Sequence, residues 1–96
     1  MEASRIDSLR FEIDLIDKDI VRLLEYRFSL VRKIGTLKKE QGLLLKDTSR
    51  EEVVLNNLYT YLEDKDLFPF IKRIYSEILH QSLLFQQNAI KRKDNP

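Results

Sequence analysis

The most regular feature of the chain is an apolar seam. Leu9, Ile13, Ile16, Ile20, Leu23, Leu30, Ile34 and Leu37 follow alternating steps of four and three residues, with Arg27 occupying the one remaining position. Such spacing keeps side chains on one stripe of an α-helix and is the heptad pattern of a helix laid along other helices. Neither proline nor glycine interrupts it before Gly35, and Ser4 or Asp7 can cap its start, because their side-chain oxygens accept from backbone N–H groups left open in a first turn. The pattern predicts a first helix over about residues 4–40. A second is expected over about 48–64, with Thr48 and Glu51 spaced as a capping box and Val54, Leu55, Leu58 and Leu62 on its apolar face. A third is expected over about 67–91, opening after Asp66 as its cap and tolerating Pro69 in its first turn. Its stripe runs through Ile71, Ile74, Tyr75, Ile78, Leu79, Ser82, Gln86 and Ala89. Between the first two helices the chain turns at Gly42, partly covered by Leu43, Leu44 and Leu45, and the polar tail 91–96 is expected to fray.

Length changes the meaning of the first helix. The 96 residues suffice for one domain, whose radius of gyration should be about 12–13 Å. A helix over residues 4–40 spans roughly 50 Å at about 1.5 Å per residue. It projects beyond such a globule and leaves its seam in water, and the simplest remedy is a second copy of the chain. An all-α, three-helix protomer in an intertwined homodimer is therefore the expected fold, with residues 1–96 as a single domain.

Composition supports helices and narrows the function. Two glycines and two prolines are too few for a β-rich or loop-rich fold. Seventeen basic side chains nearly balance sixteen acidic ones, so no overall charge draws the chain to nucleic acid or a membrane surface, and any anion must be held by a local cluster. With no cysteine, disulfides and thiolate metal sites are excluded. The lone histidine, His80, cannot build a His-based metal cluster and is most simply a surface or interface residue. No phosphate-binding glycine loop and no nucleophile–histidine arrangement is present, so neither metal nor cofactor is expected. No signal-like or membrane-spanning apolar run occurs, and a cytoplasmic protein is the expectation.

The candidate chemistry lies where the apolar stripes break. Arg27 sits in the seam among Leu23, Leu24, Leu30 and Val31, and Lys38, eleven residues on, falls on nearly the same face. Two cations on one apolar stripe can hold a dianion; alternatively, Arg27 snorkels to the rim or pairs with Glu51, and helix 1 alone admits either reading. Ser82 and Gln86 interrupt the third helix's stripe in the same way. Buried polar groups need partners, so they serve each other or face a cavity.

Taken together these residues resemble the all-α chorismate mutases, the AroQ class, over about Arg5–Gln87. The resemblance rests on Leu9-Arg10 with Ile13 and Asp17, Leu24-Glu25-Tyr26-Arg27, Ile34-Gly35 with Lys38, Asp47 with Arg50-Glu51, and Ser82 with Gln86-Gln87. It implies a dimer whose long first helices pair across the two-fold axis, with Arg10 entering the partner's site. Arg10 and Arg27 stand 17 residues apart, about 25 Å along one helix, and so cannot reach one small ligand from the same helix.

The resemblance further implies rearrangement of chorismate to prephenate in phenylalanine and tyrosine biosynthesis. This is a pericyclic reaction that needs no nucleophile, metal, cofactor or proton transfer. Arg27 and the partner's Arg10 are then expected to clamp the two carboxylates, with Ser82 assisting. Lys38 and Gln86 donate toward the ether oxygen, and Glu51 accepts from the ring hydroxyl with Asp47 nearby. Arg50 orients Glu51 and adds positive potential. Thus Lys38, Gln86, Arg27 and Glu51 are the expected catalytic residues, and Arg10, Asp47, Arg50 and Ser82 complete the binding set.

This sequence departs from the pattern in its 43–46 linker, which lacks the proline many relatives carry and has Lys46 where some have arginine. No fused dehydratase or regulatory domain is expected within the 96 residues. An activating partner enzyme of the same pathway, on which some stand-alone members depend, stays open. Two rivals remain. Isochorismate-pyruvate lyase shares the fold, but its branch is understood not to keep the acidic pair represented here by Asp47 and Glu51. A non-catalytic helical dimer or accessory module explains the seam but not the breaks at Arg27, Lys38, Ser82 and Gln86.

Overall fold

The computed structural model describes residues 2–94. Among them the chain is all-α, with α1 at Glu2–Glu40, α2 at Thr48–Tyr61, a 3₁₀ turn at Lys65–Leu67 and α3 at Phe68–Asp94. The three helices and the long first one are those the periodicity predicts. The tail differs: residues 91–94, expected to fray, continue α3, while residues 95 and 96 lie outside the described part. The chain divides into two compact units, Met1–Leu30 and Val31–Pro96.

The first unit is the amino-terminal stretch of α1. Its seam is bare: Leu9, Ile13, Ile16, Ile20 and Leu23 are all exposed, Leu23 to 68%. Burying one such side chain is worth roughly 1.5–3 kcal/mol, and amphipathic helices in proteins owe most of their stability to packing of the apolar face. Within it, Ser8 Oγ donates to the Ser4 carbonyl at 3.0 Å and Ser29 Oγ to the Tyr26 carbonyl at 2.6 Å.

The second unit holds the last turns of α1 with α2, the 3₁₀ turn and α3. α2 packs on α3, with Leu58 buried and Val54, Leu55, Leu62, Ile71, Tyr75, Ile78 and Leu79 half-buried. Ile74, placed on the α3 stripe by spacing, is exposed instead. At about 100° per residue it falls roughly 90° from the mean direction of Ile71, Tyr75, Ser82 and Gln86, which puts it at the stripe's edge.

The caps are displaced from the expected positions. α2 is capped by Asp47, whose Oδ1 accepts from the Arg50 amide at 3.0 Å while its carbonyl accepts from the Glu51 amide at 3.0 Å. The expected Thr48–Glu51 capping box does not form. An aspartate one residue earlier places a full negative charge at the positive end of the helix dipole, where threonine brings only a hydroxyl. α2 also ends at Tyr61 rather than near residue 64, because Asp64 caps the 3₁₀ turn by accepting from the Asp66 amide at 3.0 Å. Asp66 therefore lies inside that turn and does not cap α3.

α1 ends in a Schellman motif. The Leu43 amide donates to the Lys38 carbonyl at 2.8 Å and the Gly42 amide to the Lys39 carbonyl at 3.1 Å, with Gly42 at φ 69°. This left-handed conformation costs an L-residue about 1–2 kcal/mol, which explains the glycine. A Cβ at Gly42 meets no atom within 4 Å, so the backbone cost stands alone. Gly42→Ala is therefore expected to lower unfolding free energy by about 1 kcal/mol, measured by denaturant titration at fixed protein concentration. An unchanged midpoint excludes the left-handed cap as a stabilising element.

Candidate active site

Two turns of the second unit carry most of the candidate residues. The first is the end of α1 and the loop that follows it. Lys38 Nζ, part-buried, donates to the Leu45 carbonyl at 3.0 Å. Its ammonium thus sits near the carbonyl end of α1, where the dipole favours a cation, and two of its three donors stay available. The next residue, Lys46, places Nζ 3.1 Å from Glu51 Oε2 and 3.5 Å from Oε1. Glu51 is half-buried in the first turn of α2. Asp47 then caps that helix.

The second turn lies on α3. Ser82 and Gln86 are buried at 6% and 8% exposure, as the breaks in the α3 stripe require. Gln86 Nε2 donates to the Val31 carbonyl at 2.8 Å, tying α3 to the last turns of α1. Only the amide's NH₂ end can satisfy a carbonyl, so the bond fixes which way the amide faces and leaves its second N–H to offer. Gly35 makes room for this: a Cβ there lies 3.2 Å from Gln86 Cγ. Ser82 Oγ donates to the Ile78 carbonyl at 2.6 Å, so it must rotate off its own helix to donate to a ligand.

Arg10 and Arg27 belong to the first unit. Arg10 is open to solvent, its guanidinium 3.9 Å from Asp7, and Arg27 is half-buried. Arg50 is exposed, and it is Lys46 that meets the Glu51 carboxylate. Adjacent helical residues diverge by about 100°, so the Arg50 and Glu51 side chains leave the first turn of α2 in different directions. His80 is exposed. Among the described residues no cluster of three or more His, Cys, Asp or Glu could hold a metal ion, and no helix is long and apolar enough to cross a membrane.

The carbonyls of Val31 and Leu45 carry no side-chain signature and are not legible in the sequence. Gly35 gave a faint one, as a glycine inside a long helix. Lys46 stands out in the sequence only as a departure from the family pattern, since nothing in the linear order shows it folding back onto Glu51.

A family model described as chorismate mutase type II matches residues 9–87. A bifunctional chorismate mutase/prephenate dehydratase of Buchnera aphidicola subsp. Schizaphis graminum is 33% identical over 86 residues, covering 88% of this chain and 22% of that protein. Its counterpart in the subspecies Baizongia pistaciae is 32% identical over 87 residues, covering 88% and 23%. The chain thus spans less than a quarter of the length of these relatives. A solved structure of chorismate mutase, form II, from Thermus thermophilus matches with a TM-score of 0.82 at 36% identity, over 86% of this chain and 94% of that one.

The contact between Gly35 and Gln86 can be tested by a change of sign. Alanine in place of a mid-helix glycine ordinarily stabilises by about 1 kcal/mol, but here the new Cβ crowds a buried side chain, at a cost of about 1–3 kcal/mol. Gly35→Ala is expected to destabilise the wild-type chain, yet stabilise the Gln86→Ala variant. Denaturant midpoints of the four chains check this, and a stabilising effect in both backgrounds removes the packing argument.

Proposed function

Because the chain belongs to the chorismate mutase type II family, we propose that it converts chorismate to prephenate. The observation that carries this reading is the pinning of two donors. Gln86 and Lys38 each give one N–H to a main-chain carbonyl and keep others for a ligand.

The substrate is a dianion with an enolpyruvyl ether on a cyclohexadiene ring. In the [3,3] rearrangement a carbon–oxygen bond breaks while a carbon–carbon bond forms, and no atom is gained or lost. The protein needs to hold the chair-like conformer and to stabilise negative charge growing on the ether oxygen. Donors already fixed in a shielded site do so without reorganising, and one such donor is worth roughly 10²–10³ in rate. Lys38 and Gln86 are suited to that oxygen, and Glu51 to accepting from the ring hydroxyl. Arg27 is suited to a carboxylate, since a guanidinium fork matches a carboxylate bidentately, and Ser82 to assisting at a carboxylate. Asp47 and Arg50 hold the first turn of α2 that carries Glu51, through the cap bond between them.

The bare seam of the first unit supports a homodimer in which two α1 helices pair. We read residues 1–96 as one mutase domain completed by its copy, with Arg10 donated to the partner's site. Arg10, exposed and only distantly paired with Asp7, is suited to that task.

With purified protein, chorismate absorbance should decay well above its spontaneous rate, with prephenate as product. Arg27→Ala and Lys38→Ala should nearly abolish this turnover while the protein still sediments at twice the 11.5 kDa of one chain. Near-normal activity in either variant removes the site assignment. The shared site has its own test. Equal amounts of Arg10→Ala and Lys38→Ala chains, unfolded and refolded together, should regain about a quarter of wild-type activity by random pairing of a two-fold dimer. If the mixture stays as inactive as its parents, Arg10 does not act across the dimer.

A further inference from the structure

We propose that Lys46 is a positioning residue, which holds the Glu51 carboxylate where it can accept from the substrate's ring hydroxyl and offsets its charge toward a dianion. The proposal rests on the reading of Glu51 given above.

Three consecutive residues of the loop each engage a different part of the candidate site. The Leu45 carbonyl takes Lys38 Nζ, Lys46 Nζ meets both Glu51 oxygens, and Asp47 caps the turn that bears Glu51. Lys46 is therefore not a loose surface lysine, for its neighbours on both sides are hydrogen-bonded. The pair is also lopsided in exposure, the Lys46 side chain at 59% and that of Glu51 at 33%. The lysine stands on the solvent side and the carboxylate is the more sheltered partner.

Half-exposed ion pairs contribute little to folding, so the consequence of this one lies in where it leaves the carboxylate. A glutamate has three side-chain torsions to fix, and a partner that fixes them beforehand spares that ordering when substrate binds. The contact is uneven, 3.1 Å to Oε2 against 3.5 Å to Oε1. A carboxylate offers about four lone-pair sites, so capacity remains for a hydroxyl. Charge works in the same direction. A bare carboxylate repels a dianionic ligand, whereas one paired with an ammonium keeps its acceptor lone pairs without the net charge.

The test is a double-mutant cycle on chorismate turnover. Lys46→Met should lower kcat/KM about five-fold in the wild-type chain, the scale of such a pair, but less than about two-fold in the Glu51→Ala background, where there is nothing left to position. Lys46→Arg should restore activity to within about two-fold of wild type, since a guanidinium can also meet both oxygens. Thermal melting of each variant checks folding. An equal fall in both backgrounds means that Lys46 acts on the substrate by itself and overturns the proposal. No fall in either overturns it as well. If Glu51→Ala alone turns over chorismate normally, the reading of Glu51 fails, and the proposal with it. If Glu51→Ala is impaired while Lys46→Met is not, the proposal alone fails.

Discussion

An unbroken helix of 39 residues in a chain of 96 is the constraint from which the remaining features follow. At about 1.5 Å per residue α1 is some 58 Å long, and a seam of leucine and isoleucine runs along it into solvent. Apolar surface on that scale is unstable in water unless something covers it. In the proposed homodimer, a helix covered by its copy also carries residues to that copy. On that proposal, construction of one site from two chains is a by-product of the packing that covers α1, and needs no separate device.

The proposed chemistry suits such a scaffold. A pericyclic rearrangement calls for no nucleophile to activate and no proton to move, only for shape and well-placed donors. Here the carbonyl that anchors Gln86 belongs to α1, and the one that anchors Lys38 to the short loop that follows it. The anchor at Val31 is the more demanding of the two. It requires α3 to approach α1 closely, and a glycine at 35 permits the approach by leaving the helix surface flat at that point.

Much of this was legible in the sequence because helical periodicity speaks directly about faces. The all-α class, the three helices, and the burial of Ser82 and Gln86 all follow from which positions share a stripe. Where side chains compete locally, the periodicity is silent. Asp47 displaces Thr48 as the cap, and Asp64 inserts a 3₁₀ turn where a simple helix start was expected. Ile74 shows the limit of the stripe itself, since a spacing of three from Ile71 is compatible with either edge. Backbone acceptors were invisible for a deeper reason: every residue has a carbonyl, so nothing in its identity marks the one that will be used. Lys46 lay between these cases, being recognisable as a cation but without a partner until the loop is folded.

The Schellman end of α1 ties chemistry to chain length. Lys38 is held at both ends, its carbonyl by the Leu43 amide and its ammonium by the Leu45 carbonyl, while Asp47 begins the next helix two residues later. Surface loops in general tolerate insertions well, since each doubling of length costs only about 0.6 kcal/mol in closure entropy. Here one added residue shifts the acceptor away from Lys38 or moves Lys46 off Glu51, whatever residue is added. The spacing between α1 and α2 therefore acts as a ruler, and homologous chains that keep this arrangement should vary in the letters of this loop far more readily than in its count.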